Sequence, residues 1–302
     1  MGDWFYSYDT LNRLGTAQNV LATSIAPQYA GQYGCWGYDS FGNRTAEYYQ
    51  AAACPTPESS VPVPHVNQIT YNGSNQVLTA NVAWGQTNLS GTFQYDAAGN
   101  VLSDITNNYL YDAEGRLCAV KNSVTSFTQY VYDAEGRRVA KGSLQSWPTG
   151  SSCNAPTAAN GFTLTSQYLL DLGGNQVTEL NSSPNPANNW VHSNLWPGGH
   201  LDATYDTRGL HFHFADPLGS RRVQTNAAGL VEENCQSLPF GNSLTCIVPP
   251  TAPTSADDAT EHHFTGKERD SESGNDYFGA RYYGSMMGRF LSPDPLMASA
   301  KA

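Results

Sequence analysis

The sequence predicts an all-β protein built from consecutive antiparallel β-hairpins. Tyrosine-rich segments repeat along the chain, Gly and Pro account for 28 and 17 of 302 residues, and aromatic residues reach 12%. Aromatic residues favour strands, whereas Gly and Pro mark turns. A chain of this length can bury a core in one or two domains.

The first element is a repeat. Residues 109–120 read YLYDAEGRLCAV and residues 130–141 read YVYDAEGRRVAK, so the hexapeptide YDAEGR occurs twice. A fixed repeat of this kind indicates one supersecondary unit that is used several times. Weaker copies of the pattern cover residues 7–17, 37–48, 94–105 and 169–180.

Each copy predicts a strand, a turn and a second strand. Asp133 can begin a type I turn by accepting from the amide two residues on, and Gly136 can adopt a positive φ at low steric cost. In the flanking strand, Tyr130 and Tyr132 should share one face and Val131 the other. Because a single hairpin is only marginally stable, we expect successive hairpins to pair into one curved or spiralling sheet.

Three segments interrupt the hairpins. Residues 51–64, 147–161 and 247–260 are rich in Pro, Ser, Thr and Ala. This composition indicates surface insertions.

The charge and hydropathy patterns exclude two kinds of partner. A net charge of −11 with 15 Lys and Arg residues argues against nucleic acid, which requires clustered cations. No stretch approaches 18 consecutive apolar residues, and the start of the chain lacks the basic and apolar regions of a signal peptide. We expect a soluble chain with no membrane span and no export signal of its own.

The six cysteines leave their own pairing open. Their spacing includes no Cys-x-x-Cys motif, which argues against a zinc knuckle. Disulfides such as Cys35–Cys54 or Cys235–Cys246 are one interpretation, and small buried thiols are the other. The cysteines are Cys35, Cys54, Cys118, Cys153, Cys235 and Cys246.

The C-terminal block carries a composite motif. GKERDSESG, YFGARYY and GRFLSPDP follow one another over residues 266–295, after FADPLGSRRVQTNAAGLVEENC at residues 214–235. Together with the repeats, this block resembles the Rhs/YD-repeat family and its repeat-associated core domain. The resemblance divides the chain into a YD-repeat region, residues 1–207, and a core domain, residues 208–302.

The resemblance implies a structural function. In that family, which includes bacterial polymorphic toxins and teneurins, YD hairpins form a hollow shell and the core domain plugs one end. In the bacterial members a C-terminal toxin is released inside the shell by aspartic-type self-cleavage. Implied partners are the remainder of a larger Rhs shell, a C-terminal toxin or effector and secretion-apparatus proteins, and the implied location is secreted or at the bacterial cell surface.

Several positions depart from the family pattern. The chain ends in PLMASAKA, before the usual cleavage sequence. Gly284 replaces an Asp, Asn275 replaces a Leu, and Asn226 stands where an Asp is common. We expect any self-cleavage activity of the core to be vestigial.

Aspartic-type cleavage requires two carboxylates that cannot both ionise easily, so that one acts as acid and the other as base. The resemblance indicates Asp270, with its neighbour Arg269, as catalytic. Asp294 is the first candidate for the second carboxylate, and Asp276 is the next candidate. Alternatively, Arg269 and Asp270 form a structural pair and Asp294 caps a turn.

No cofactor or metal is predicted. His211 and His213 would share one face of a strand, but no carboxylate or Cys lies at a helpful spacing, so they are interpreted as strand histidines. No nucleotide-binding or hydrolase fingerprint occurs.

The number of hairpins limits what this chain can enclose. About 16 strands spaced by ~4.8 Å would close into a ring only about 25 Å across. A 100-residue guest has a radius of gyration of about 13 Å and would not fit beside the inward side chains. We therefore expect this chain to be the C-terminal part of a larger shell or an orphan copy. The alternative function is a secreted or cell-surface carbohydrate- or protein-binding module that uses Trp84, Trp190 and Trp196.

Overall fold

The computed structural model describes residues 4–19, 31–54, 66–84, 87–122, 126–253 and 258–294. The chain divides into two compact units, Met1–Tyr95 with Met286–Gly288, and Asp96–Ser285 with Arg289–Ala302. No helix in the described ranges is long and apolar enough to cross a membrane.

The first unit contains a seven-stranded sheet in which neighbours in the chain are neighbours in the sheet, from β1 to β7. Each neighbouring pair of strands from β1 to β7 is antiparallel. The strands of this sheet are β1 (Trp4–Tyr8), β2 (Leu14–Asn19), β3 (Tyr33–Tyr38), β4 (Arg44–Gln50), β5 (Val66–Tyr71), β6 (Val77–Trp84) and β7 (Thr87–Thr92). The two-residue strand β8 (Gln94–Tyr95) follows in the chain and is not part of this sheet.

In the second unit, strands β9 to β21 also follow chain order within one sheet. They are β9 (Val101–Ser103), β10 (Asn108–Tyr111), β11 (Leu117–Lys121), β12 (Phe127–Tyr132), β13 (Arg138–Leu144), β14 (Phe162–Leu170), β15 (Gln176–Asn181), β16 (Trp190–Leu195), β17 (Ala203–Asp206), β18 (Gly209–Ala215), β19 (Arg221–Asn226), β20 (Val231–Gln236) and β21 (Thr245–Ile247). The predicted all-β architecture of consecutive hairpins is confirmed.

A small four-stranded antiparallel sheet follows near the C-terminus. It consists of β22 (Glu268–Arg269), β23 (Asp276–Tyr277), β24 (Tyr282–Gly284) and β25 (Arg289–Phe290). Short 3-10 turns lie at Ala158–Asn160, Pro186–Asn188, Pro197–Gly199 and Phe264–Gly266. The predicted domain boundary at residues 207/208 falls in the hairpin between β17 and β18 and stays a prediction.

The repeated Asp and Gly build the hairpin turns as the sequence predicts. Asp112 Oδ1 accepts from the amide of Glu114 at 2.9 Å, and the Gly115 amide donates to the Asp112 carbonyl at 3.0 Å. Gly115 has φ 77°, and the strand register shifts beside the turn. This is a type I turn followed by a bulge at a left-handed residue, which suits the twist of a hairpin. Gly136 has φ 79° in the sister copy.

All six cysteines form disulfides. Cys35 bonds Cys54, Cys118 bonds Cys153 and Cys235 bonds Cys246. The alternative of free buried thiols is therefore wrong, and both example pairs are present. Cys118 also belongs to a buried apolar cluster with Leu110, Ala119 and Leu144.

The three interrupting segments differ in what the structure describes. Residues 147–161 connect β13 to β14 and are mostly exposed, but Pro148 is buried, and Trp147 and Cys153 pack against the apolar cluster. Most of the segment 51–64 and part of 247–260 lie outside the described residues.

Candidate functional site

A buried arginine joins the hairpin sheet to the C-terminal segment. Arg138 begins β13, and its Nη1 donates to both carboxylate oxygens of Asp270, at 2.8 and 2.9 Å. Its Nη2 forms an ion pair with Glu268. Arg138 is 2% exposed, Asp270 0% and Glu268 5%. Two carboxylates, one in β22 and one in the turn that follows it, therefore share one guanidinium from β13.

Tyrosines surround this guanidinium. The Arg138 guanidinium carbon lies 5.3 Å from the Tyr130 ring centroid, 5.0 Å from that of Tyr168 and 4.5 Å from that of Tyr277. Nη1 also donates to the Tyr282 hydroxyl at 2.9 Å. Ring faces attract a cation while excluding water, which strengthens the charge interactions inside the cluster.

The two carboxylates have different environments. Asp270 accepts two charge-assisted hydrogen bonds, whereas burial raises the pKa of Glu268 to about 7 against the attraction of Arg138. The neighbouring charge of Asp270 also raises the pKa of Glu268. A buried carboxyl group with a raised pKa keeps its proton more easily, so Glu268 can serve as an acid.

The predicted catalytic residues occupy three separate pairs. Arg269 binds Asp276 at 2.7 and 2.8 Å, and donates to the Gly241 carbonyl at 2.8 Å. The alternative interpretation expected Arg269 to pair with Asp270. Arg269 pairs instead with Asp276, because these two residues are cross-strand partners in β22 and β23. Asp294 binds Arg281 at 3.2 Å and is partly exposed. Catalytic roles for Asp270, Arg269 and Asp294 stay predictions.

A cavity of about 950 Å³ lies beside the arginine cluster in the second unit. Arg138, Glu268, Arg281 and Asp294 all line it. Asp294 and Glu268 therefore line the same cavity. The third carboxylate, that of Asp270, is fully buried. Sequence reasoning missed Arg138 and Glu268 as members of this site.

Comparison of the two repeat copies already indicated that Arg138 is unusual. The sister copies read GRL at residues 115–117 and GRR at residues 136–138, so Arg138 replaces the apolar Leu117. Leu117 is 3% exposed, which identifies the position as a core position. A charged residue at a core position indicates a partner from elsewhere in the chain.

Further contacts bind the C-terminal segment to the early hairpins of the same unit. Asn107 Nδ2 donates to the Ser273 carbonyl at 3.1 Å, and Asn275 Nδ2 donates to the Tyr109 hydroxyl at 3.0 Å. The Val101 amide donates to the Leu291 carbonyl at 2.8 Å. Asn275, one of the departures from the family pattern, thus has a structural contact.

His211 lies close to two acidic groups, contrary to expectation. His211 Nδ1 lies 2.6 Å from Glu232 and its Nε2 lies 3.0 Å from Asp206. Although burial lowers the pKa of His211, these two carboxylates raise it overall. Sequence spacing could not show this, because Glu232 is 21 residues away on another strand.

His213 behaves differently from His211. Its Nε2 contacts the Thr204 hydroxyl at 2.8 Å. Burial, assisted by the charge of Arg221, lowers the pKa of His213 to about 3. The imidazole is therefore neutral at physiological pH.

The tryptophans of the alternative function differ in their contacts. Trp196 Nε1 donates to the Gln176 carbonyl at 2.8 Å. The ring of Trp190 packs on that of Tyr205, with centroids 5.6 Å apart, and Tyr205 is 51% exposed. The side chain of Trp84 lies outside the described residues.

Comparison with known proteins supports the fold. No protein-family model matches the chain, and no curated protein does. The crystal structure of TcdB2-TccC3 matches with a TM-score of 0.61 and 18% identity, over 98% of this chain and 16% of that chain. The structures of TcdB2-TccC3-Cdc42 and of TcdB2-TccC3 without its hypervariable C-terminal region match with TM-scores of 0.60 and 0.57, both at 17% identity with the same coverage. The chain therefore shares the fold of those structures over nearly its whole length and spans about a sixth of the length of those proteins.

Proposed function

We propose that the chain is a wall segment with its plug in an Rhs/YD-repeat shell that encloses and presents a C-terminal toxin or effector. The observation that carries this proposal is the buried contact of Arg138 in the wall with Asp270 and Glu268 in the C-terminal segment. A plug must stay in place while the shell is closed. Two buried charge contacts and a ring of tyrosines meet that requirement.

The likeness to TcdB2-TccC3 supports a role within a larger assembly. That protein has a hypervariable C-terminal region, as the name of one of its structures states. By analogy, the partners of this chain are the remainder of an Rhs shell, a C-terminal toxin or effector and secretion-apparatus proteins, in a secreted or surface-exposed bacterial protein. The chain matches 16% of TcdB2-TccC3, so enclosure requires additional repeats.

Protease protection of the complete protein tests this function. The complete reading frame is expressed, and native protein is digested with a nonspecific protease. The polypeptide that follows residue 302 should remain intact until urea opens the shell, whereas the same polypeptide expressed alone should be digested at once. Digestion of that polypeptide while the hairpin region stays intact, or a reading frame that ends at residue 302, would contradict the proposal.

Self-cleavage is a second activity that the same preparation can test. The sequence-based prediction assigns it to Asp270 with Arg269 and Asp294, and the cavity shared by Asp294 and Glu268 supports testing both as the second carboxylate. Asp270→Asn should abolish cleavage of the complete protein, and comparison of Glu268→Gln with Asp294→Asn identifies its partner. Wild-type protein that stays uncleaved would rule out the activity.

A binding module is the competing function, and the partly exposed pair of Trp190 and Tyr205 favours it. Such a pair offers contact area with a polar handle. Binding of the wild type on a glycan array, lost in Tyr205→Ala, would support this alternative. An array without signal would exclude carbohydrate as the ligand.

A further inference from the structure

Three potential metal ligands meet between the hairpin sheet and the C-terminal segment. Glu179 in β15 and His192 in β16 are direct cross-strand partners. Glu261 precedes β22, and its carbonyl accepts from the Arg269 amide at 2.9 Å. One ligand atom from each of Glu179, His192 and Glu261 lies within 4.8 Å of the other two. All three residues belong to the second unit.

Hydrogen bonds leave part of this cluster unsatisfied. His192 is 3% exposed, and its Nε2 has no hydrogen-bond partner. Oε2 of Glu261 is also buried without one. Glu179 is 7% exposed and accepts from Gln176 Nε2 at 3.3 Å. Buried polar atoms normally have partners, so an unpartnered imidazole nitrogen beside an unpartnered carboxylate oxygen indicates a missing ligand.

Glu179 and Glu261 place two carboxylates beside one imidazole. A neutral imidazole and ionised carboxylates are the forms that bind metals, so a cation between the two carboxylates would offset their mutual repulsion.

A second cluster of one histidine and two carboxylates provides a contrast. His211 also lies between two carboxylates, Asp206 and Glu232. There each ring nitrogen already has a carboxylate partner, at 3.0 and 2.6 Å. The Asp206–His211–Glu232 cluster therefore satisfies itself by hydrogen bonding and offers no free nitrogen to a metal.

We propose that Glu179, His192 and Glu261 bind a divalent transition-metal ion, with Zn²⁺ as the best match. One imidazole and two carboxylates are ligands that Zn²⁺ accepts, and three protein ligands leave a fourth position for water. The ion would connect two strands of the wall to the segment that leads into β22. This inference does not depend on the proposed shell function.

Metal titration of the purified chain tests the site. Tag-free protein is stripped with EDTA, dialysed without reductant so that the disulfides persist, and titrated with Zn²⁺ by calorimetry. The wild type should bind one Zn²⁺ per chain, and Zn²⁺ should raise its melting temperature. Glu261→Gln and His192→Asn should each weaken binding at least tenfold and remove most of the melting shift.

Glu232→Gln is the matched control, because it changes the self-satisfied cluster and should leave Zn²⁺ affinity unchanged. Melting curves in EDTA show whether each variant is folded. If a ligand variant does not fold, the Co²⁺-loaded wild type still provides a test, since nitrogen and oxygen ligation gives d–d bands without a thiolate charge-transfer band.

Three results would overturn the proposal. They are a wild type that binds no stoichiometric Zn²⁺, equal affinity in the wild type and both ligand variants, and binding that requires reductant. The last result would assign the metal to Cys235, Cys246 and His263, whose ligand atoms also lie close together.

Discussion

Leu117 and Arg138 occupy equivalent positions in two copies of one hairpin. Leu117 pairs across its hairpin with Tyr111, and Arg138 pairs with Tyr132. Both side chains are buried, at 3% and 2% exposure. The repeat thus supplies the same backbone position twice, once with an apolar residue and once with a cation that reaches Asp270. One residue difference within the repeat thus connects β13 to Asp270 and Glu268.

The Asp270→Asn variant should be strongly destabilised. Removing one partner of a buried ion pair leaves an incompletely compensated charge, which costs about 3–5 kcal/mol. Because Glu268 still contacts Arg138, we expect a loss of about 3 kcal/mol. Urea unfolding at pH 7.5 measures it.

Glu114→Gln is the control for this experiment. Glu114 forms an ion pair with Arg116 at 3.0 Å, but its side chain is 70% exposed. Exposed pairs contribute about 0–1 kcal/mol, so the control should stay close to the wild type. Equal losses of unfolding free energy in Asp270→Asn and Glu114→Gln would contradict a stabilising role for the buried contact of Asp270 with Arg138.

The hairpins were predictable from the sequence, whereas only Asp270 of the arginine cluster was, for a physical reason. The Asp112 and Gly115 turn depends on neighbours within four residues, so local composition determines it. Arg138 and Asp270 are 132 residues apart, and no periodicity connects them. The same holds for Glu261, which meets His192 from a distant segment. The sequence offered one indirect sign, the replacement of Leu117 by Arg138 in the sister copy.

Stability should fall with rising pH because of Glu268. Its folded pKa of about 7 lies above its ordinary value of 4.5. A carboxyl group with a raised folded pKa stabilises the fold fully below pH ~4.5, and this contribution is lost as pH rises through ~7. Relative to Glu268→Gln, which mimics the protonated form, the wild type should lose about 1–3 kcal/mol between pH 5 and 8. Urea midpoints of both proteins across this range provide the test, and parallel profiles would refute it.

The turn glycines should show a backbone effect that is independent of packing. Gly115 has φ 77°, and an added Cβ would meet no atom within 4 Å. Gly115→Ala should therefore cost about 1–2 kcal/mol through left-handed strain alone. Gly73 also faces open space but lacks a positive φ, so Gly73→Ala should be nearly neutral. Thermal melting distinguishes them, and equal shifts would argue against strain as the cause.

The disulfides should contribute according to the length of chain they close. Cys118 and Cys153 are 35 residues apart, whereas Cys235 and Cys246 are 11 apart. Loop-closure entropy predicts that the Cys118→Ala/Cys153→Ala variant loses about 1 kcal/mol more than the Cys235→Ala/Cys246→Ala variant. Since Cys118 and Cys235 are equally buried, at 4% exposure, the apolar contribution of these two residues is matched. Urea unfolding without reductant measures both losses, and a larger loss for the shorter loop would show that local packing outweighs chain entropy at these sites.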